Sequence, residues 1–333
     1  MNRKIRWGLL GAGKILNRWM KGARQIEDME IVAVASRTRE RAAKTAEKFQ
    51  IPDVLTYEEM LVRKDIDVVY IPVPHTAHMD LALKAMEAGK AVLVEKPAGI
   101  NVQQWEKMTE CARKNQVFLM EAVWTRFFPL IKEIEAHLKD IGDVRVVSTN
   151  FSFRNDEMDS RLMDPNRAGG SLLDVGVYDL HFTKMILKKD PILLSGVASM
   201  DTDEHHLQVD EQAAWIAQYD KGELGLMCSA IRTDMIDTAY IYGTKGHMII
   251  PQFWKPWQLQ LTVGDKVETI ECPVPQRIAG IEDEGYQFEI AHVNQCIREG
   301  MKESPVMTWE ETASILKQCD MLRKQWGLKY PQD

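Results

Sequence analysis

The chain has 333 residues, 45% of them apolar and 27% charged, with 42 Lys+Arg against 49 Asp+Glu for a net charge of −7. That length points to two domains, or one large one, with a core that needs neither disulfides nor structural metal. The balance excludes disordered, collagen-like and low-complexity architectures, and it argues against a bulk binder of nucleic acid or anionic membrane.

In chain order, short apolar runs at 5–10, 31–35, 67–73, 91–94 and 117–122 alternate with helical patterns over 14–26, 39–49, 79–88 and 103–115. Strands alternating with helices of this length predict βαβ units on a parallel sheet covered on both faces. From about residue 143 the rhythm changes, with strand patterns at 144–153, 192–199, 211–219, 223–231, 238–242, 247–250, 259–263 and 266–272. Turn signals at Asp220-Lys221-Gly222, Thr244-Lys245-Gly246 and Gly264-Asp265 predict hairpins and hence a largely antiparallel sheet. Helices are expected over 171–187 and over 309–326, the latter stopped by Gly327. The expected division is 1–125 and 126–333, with the final helix 309–326 a candidate to pack back toward the first domain.

The first run leads into Gly11-Ala12-Gly13-Lys14-Ile15-Leu16 and then a helix. Gly11 suits the tight turn and Gly13 a close approach of backbone to a pyrophosphate, with the N–H groups around Lys14 and Ile15 at the helix start. The third glycine position holds Leu16, so the motif is incomplete and its weight comes from the strand–helix context. About 20 residues on, a NAD site wants a carboxylate for the ribose hydroxyls. This chain has Ser36, Arg37, Thr38 and Arg39 there. A hydroxyl and a planar guanidinium suit a 2′-phosphate, so NADP is expected over NAD. The strand at 91–94 ends in Glu95-Lys96-Pro97, which puts Lys96 on the ligand edge of an open α/β sheet, where it can stabilise a substrate alkoxide.

Gly11-Ala12-Gly13, Glu95-Lys96-Pro97 and Gly169-Gly170-Ser171-Leu172-Leu173-Asp174, in that order, resemble the Gfo/Idh/MocA oxidoreductases across nearly the whole chain. Residues 118–129 (FLMEAVWTRFFP) and Leu173-Asp174-Val175-Gly176-Val177-Tyr178 are similar to the dimeric dihydrodiol dehydrogenase branch. The resemblance implies a fold of the α/β class: an N-terminal Rossmann domain that binds NAD(P), and a C-terminal α+β domain with a large, mostly antiparallel open sheet for substrate binding and oligomerisation. The active site is then expected in the cleft between them. It also implies hydride transfer at a secondary alcohol or ketone carbon of a sugar, cyclitol or cyclic diol, with Lys96 as the shared catalytic lysine. Most of the family carry Asp-x-x-x-His on the second-domain helix; here the pair is Asp174 and Tyr178, as in the dihydrodiol branch, with the tyrosine as acid/base.

Independently, Asp174 and Tyr178 lie four apart on an expected helix and project from one face. Ser171 is expected as its N-cap, which would put Asp174 in the first turn. A tyrosine of ordinary pKa near 10 needs a neighbouring cation such as Lys96 to act as a base. His181 is a reserve acid/base or substrate residue. Pro74, His75 and His78 are expected near the nicotinamide ribose and Arg126 at the cofactor, both by resemblance. Trp124, Phe127 and Phe153 are candidates for a stacking wall against a ring-shaped substrate.

The five cysteines (Cys111, Cys228, Cys272, Cys296, Cys319) lack metal-ligand spacing and read as reduced thiols, with no metal expected. The N-terminus, from Met1 to Arg6, is basic but has no signal-peptide core, and no run reaches the roughly 18–20 apolar residues of a membrane span. A cytoplasmic protein is expected. Trp215, Ile216, Tyr240 and Tyr242 are expected to form an apolar patch on the open sheet and a homodimer or larger assembly. Two other functions compete. A redox-neutral glycoside-cleaving enzyme would typically keep NAD, against Ser36 and Arg37, and a non-catalytic dinucleotide sensor would not need Lys96, Asp174 and Tyr178.

Overall fold

The structure, a computed structural model, describes residues 3–157, 160–200 and 208–333, so Met1 and Asn2 of the basic N-terminal stretch lie outside the described residues. The first part of the chain runs β1 (Ile5–Leu10), α1 (Leu16–Gln25), β2 (Met29–Ala35), α2 (Arg39–Phe49), β3 (Asp53–Leu55), α3 (Tyr57–Val62), β4 (Val68–Ile71), α4 (His78–Glu87), β5 (Ala91–Glu95), α5 (Val102–Asn115) and β6 (Leu119–Ala122). These strands form an all-parallel sheet in the order β3-β2-β1-β4-β5-β6. The order reverses between β1 and β4, so the loops after β1, β2, β4 and β5 gather at the edge where open α/β sheets hold ligands. The strands read as continuous apolar runs because both faces are covered; every residue of β4 is buried. Trp19 of α1 packs under the sheet, with ring centroids 5.6 Å from Trp7 and 4.5 Å from Tyr70. The sequence pattern misses β3 and α3, which at 3 and 6 residues are too short to show a period.

Next come α6 (Pro129–His137), β7 (Val144–Ser152), a π-helical segment Leu172–Gly176 running into α7 (Val177–Leu187), β8 (Leu193–Met200), β9 (Asp210–Gln218), β10 (Leu224–Ala230), β11 (Thr238–Gly243), β12 (Gly246–Pro251), β13 (Gln258–Val263), β14 (Lys266–Glu271), α8 (Tyr286–Arg298) and α9 (Trp309–Trp326). The second sheet has the order β14-β13-β12-β11-β7-β10-β9-β8 and is antiparallel except where β10 meets β7. All three turn signals join antiparallel neighbours: β9 to β10, β11 to β12 and β13 to β14. α7 covers one face of this sheet. Trp215 corrects the expected apolar patch. It is 2% exposed and lies under the helix side, its indole beside Met227 Sδ at 3.1 Å, whereas Ile216 is 51% exposed on the open face. Neighbouring strand residues point to opposite faces, so the two cannot share a patch. Val197, Leu226 and Tyr242 do join Ile216 among the exposed apolar side chains of these strands.

The chain packs as two compact units, 1–127 with 274–313, and 128–273 with 314–333. The sequence reading put 274–313 in the second domain, and side-chain bonds explain the difference. Gln25 accepts from the main-chain N–H groups of Arg277 and Ile278 at 2.8 and 3.0 Å, Arg18 makes a forked pair with Glu284, and Trp7 donates to Asn294 on α8 at 2.9 Å. α8 escapes a pattern search because it buries Glu289 and Asn294 on its inner face. Among the described residues no helix is long and apolar enough to cross a membrane, and all five cysteines are free thiols.

Candidate active site

At the end of β1 the chain turns at Gly11, with φ +145°, and the Gly11 N–H donates to Ala35 O at 2.9 Å. A Cβ on Gly13 would strike the Pro72 carbonyl oxygen and one on Gly11 the Val73 side chain, so the loop is seated against the end of β4 at a distance only glycine permits. Leu16, at the third motif position, is buried in the core. α1 begins with no capping side chain and no acidic residue in its first turn. Leu16 and Asn17 N–H donate back to Gly13 O and Lys14 O at 3.1 Å each. What this end offers a dinucleotide pyrophosphate is therefore the positive end of the helix dipole, with no carboxylate competing for it, and the close approach that Gly11 and Gly13 allow. Lys14 is exposed there and Ile15 half-buried.

Beyond β2, Ser36 is half-buried while Arg37 and Thr38 are exposed. Thr38 is also the N-cap of α2, its hydroxyl accepting from Arg41 N–H at 3.4 Å, and Arg39 pairs with Glu59 at 3.7 Å. Tyr57 stands beside Arg37; burial pushes its phenol up while Arg37 and Arg41 pull it down. An exposed guanidinium next to a hydroxyl fits a 2′-phosphate.

The loop after β5 is held at its main chain on both sides of Lys96. Glu95 accepts the Lys96 N–H at 3.2 Å and also the Tyr70 hydroxyl. Glu121 on β6 accepts the Ala98 N–H at 2.8 Å. His78 Nδ1 lies 2.8 Å from the Pro97 carbonyl oxygen and its Nε2 2.9 Å from that of Val73. The Lys96–Pro97 peptide is cis, and Lys96 itself is half-buried. His78 is therefore a fully buried strut between two loops, with His75 buried beside it, their rings 5.8 Å apart, and Pro74 leading into that turn. Behind the loop, burial and the neighbouring Glu95 and Glu121 push the Glu289 carboxyl well above the usual carboxylate range. Burial, then Glu95, does the same to the Tyr70 phenol. Tyr70, through Glu95, and Glu121 support this loop without having been singled out in the sequence; the signal for Glu121 is an acid inside an apolar strand pattern.

Trp124 is 2% exposed and stacks on Tyr286 at 4.1 Å, with the Arg18 guanidinium 5.2 Å from its ring. That packing replaces the expected open stacking wall: the ring is buried in the first unit with one face stacked on Tyr286, and Arg18 sits beside the stacked pair, 5.7 Å from the Tyr286 ring as well. Phe127 sits against His292 at 4.8 Å. Arg126 is buried and donates to Glu311 at 2.8 Å.

In the second unit the expected helix starts in π form, with Val177 N–H donating to Leu172 O; such widened turns are frequent at functional sites. Ser171 stands at the N-cap position, as expected, but its side chain caps no N–H of the helix. Its backbone is already helical, and its hydroxyl donates to Asp210 Oδ2 at 3.0 Å and contacts Ser229 at 2.9 Å. The cap comes instead from β9, where Asp210 accepts Leu172 N–H at 2.6 Å. Burial pushes the Asp210 carboxyl up to about 6, against those hydrogen bonds. Asp174 is buried and accepts from Arg161 Nη2 at 2.7 Å, a partner the sequence reading missed. Tyr178 is 8% exposed, edge-on to Phe151 at 5.4 Å. His181 is fully buried one turn on, and Phe153 is half-buried just past β7. The neighbouring Asp179 carboxyl is pushed far up by burial, eased by the Thr149 hydroxyl and raised further by Asp237. Among the described residues no group of three or more His, Cys, Asp or Glu side chains could hold a metal ion.

Residues 5–123 match the family model of an oxidoreductase family with an NAD-binding Rossmann fold, and residues 136–249 match the GFO/IDH/MocA C-terminal domain. The chain is 35% identical over 335 residues to trans-1,2-dihydrobenzene-1,2-diol dehydrogenase of Mus musculus and 34% identical over 336 residues to that of Homo sapiens, each alignment covering 99% of both chains. It superposes with a TM-score of 0.86 on a 3-ketoreductase from Actinomadura kijaniata in complex with NADP and TDP-benzene, at 22% identity over 97% of this chain and 98% of that one. An aldose-aldose oxidoreductase from Caulobacter crescentus gives a TM-score of 0.83 at 23% identity, covering 97% of each.

Proposed function

The chain belongs to the GFO/IDH/MocA family of NAD(P)-dependent oxidoreductases, and from that premise we propose that it uses NADP to interconvert a secondary alcohol and its ketone on a sugar, cyclitol or cyclic diol. The observation that carries the reading is the loop around Lys96, whose main chain is held by Glu95, His78 and Glu121. So much fixing of a short loop suits a side chain kept in register for a reaction. The dihydrodiol substrate named for the curated relatives favours the substrate class.

Gly11, Gly13 and the start of α1 would hold the pyrophosphate, and Ser36, Arg37 and Thr38 the 2′-phosphate. Bound NADP supplies the hydride acceptor or donor. In the oxidising direction the Tyr178 oxygen takes the proton of the substrate hydroxyl as the carbon gives up its hydride; in reduction Tyr178 returns that proton to the ketone oxygen. The Lys96 ammonium hydrogen-bonds the developing alkoxide. Asp174, tied to Arg161, orients this end of the helix. The same reading includes a homodimer through the open face of the second sheet, where Val197, Ile216 and Tyr242 are 72%, 51% and 40% exposed, and a cytoplasmic location in keeping with free thiols.

The test is a nicotinamide absorbance screen with NADP and NAD across sugars, inositols and cyclic diols. NADP-dependent turnover of a member of this class is expected. Cleavage of a glycoside with no net change in cofactor, or cofactor binding without turnover of any of them, would overturn the proposal.

A further inference from the structure

The turn that launches the Asp174/Tyr178 helix is gripped from two directions by side chains with no part in the chemistry so far. From β9, Asp210 takes the Leu172 N–H at 2.6 Å and the Ser171 hydroxyl at 3.0 Å, and Ser229 of β10 meets that hydroxyl at 2.9 Å. Gly170 has φ +110°, and a Cβ there would run into Asp210 Oδ1, so the turn and the carboxyl interlock. From the C-terminal tail, the buried Tyr330 donates its hydroxyl to Gly169 O at 2.6 Å. The tail is anchored in turn: Asp333 accepts Tyr330 N–H and Arg323 Nη1, both at 2.8 Å, and the Arg323 guanidinium lies 4.9 Å from the Tyr330 ring. Gln332 adds a bond to Asn166 O at 2.9 Å.

We infer that Asp210 and Tyr330 are positioning residues, which clasp Gly169–Leu172 and thereby set where the helix carrying Asp174 and Tyr178 begins. A helix start has free main-chain donors and no partner of its own for them; here Asp210 of a distant strand takes the Leu172 N–H, while Tyr330 of the tail donates to the Gly169 carbonyl on the approach to the helix. A small shift at that start moves Asp174 and Tyr178 together. The charged and titratable groups facing Asp210 are Arg323 of α9 and Tyr330 of the tail, alongside the Leu172 amide and the Ser171 hydroxyl. Burial outweighs them, so ionised Asp210 costs stability that the hold on Leu172 repays only in part. The proposal rests on Asp174 and Tyr178 acting in the reaction as proposed above.

The experiment uses the full chain, NADPH and a substrate found in the screen. Tyr330→Phe keeps the ring and removes the hydroxyl. It is expected to lower kcat about 10–100-fold with KM and melting temperature near wild type, and to speed amide exchange across Leu172–Gly176 about tenfold. Asp210→Asn is expected to raise the melting temperature above pH 6, yet lower kcat and erase a limb near pH 6 from the pH–rate profile. Stability up with turnover down is a split that a merely structural side chain does not give. Unchanged kcat with unchanged exchange in Tyr330→Phe overturns the clasp, as does melting temperature falling in step with kcat in both variants. Full activity in Tyr178→Phe would defeat the acid/base reading instead, and exchange at Leu172–Gly176 would still judge the clasp by itself.

Discussion

In the first unit the residues of interest stand on loops beyond the carboxyl ends of parallel strands, whereas in the second they stand on a helix laid over one face of an antiparallel sheet. A loop leaves its main-chain polar groups without partners, and the first unit supplies them from flanking elements: Glu95, Glu121 and His78 around Lys96. A helix satisfies its own main chain except at its ends, so the second unit concentrates its support at one end, where Asp210 meets Leu172 N–H. Both solutions use a buried carboxyl on a main-chain amide. The difference lies in what a lost partner disturbs. In the loop it frees one side chain, whereas at the helix start it moves every residue that follows.

The largest effects should come from removing the groups proposed to react, one from each unit. Tyr178→Phe keeps ring and packing, so folding and NADP binding should survive while turnover falls by about 10²–10⁴, the usual contribution of general acid/base catalysis. Lys96→Ala should cost at least as much, because a substrate hydrogen bond goes with the charge. If the two act as a unit, steady-state kinetics of the double variant will show far less than the product of the single losses. His181→Asn should be mild by comparison. A dead His181→Asn beside an active Tyr178→Phe would mean the base is misassigned.

Next in size is Arg37→Ala at the edge of the first sheet. A guanidinium on a 2′-phosphate is worth about 1.5–3 kcal/mol, the range for hydrogen bonds to charged groups, so NADP should weaken by that amount and NAD hardly at all. Titration of both cofactors against wild type and variant decides it, and equal losses would remove Arg37 from the phosphate site.

Legibility differs between the two units for physical reasons. A βα loop has one place to be once its strand is placed, so Gly11, Ser36, Arg37 and Lys96 could be located from motif spacing alone. Even there, Trp124 was put on a substrate wall, because spacing does not tell which aromatic ring finds a partner such as Tyr286. In the second unit the strands and hairpins follow from period and turn residues, but the facing of a strand depends on its register. Trp215 and Ile216 fail to share a face for a simpler reason, the alternation of neighbouring residues along any strand, whatever its register. The Asp210–Leu172 cap joins residues 38 apart, and nothing local marks it; Ser171 holds the N-cap position, but its hydroxyl bonds to Asp210 and Ser229 and not to the helix. α8 was missed because its buried Glu289 and Asn294 interrupt the apolar stripe.

Each unit also buries a carboxyl that burial pushes far above its ordinary range, Glu289 in the first and Asp179 in the second. A group with a raised folded pKa binds its proton more tightly in the native state than in the unfolded chain. Stability it contributes is present below the unfolded value near 4 and is lost as pH rises through the folded value. Glu289→Gln and Asp179→Asn should therefore raise the melting temperature at pH 8, by about 1–3 kcal/mol in stability terms, with the gain vanishing toward pH 4. Thermal melts across that range test both, and a variant destabilised at every pH would show that its carboxyl is held ionised by partners.

The smallest expected effect is at Thr38, which has two jobs in prospect at one hydroxyl. As N-cap of α2 it accepts from Arg41 N–H at 3.4 Å, a long bond, so Thr38→Ala should cost stability at the low end of the capping range, about 0.5–1 kcal/mol. An accepting hydroxyl still has its own proton to give, and a 2′-phosphate beside Arg37 would take it. That bond is worth about 0.5–1.5 kcal/mol, so Thr38→Ala should weaken NADP several-fold and leave NAD alone, while Thr38→Ser should restore both stability and affinity. Loss of stability with NADP affinity intact would leave Thr38 a cap only, and the phosphate contact would then fall to Ser36 and Arg37, residues that carry no capping duty on α2.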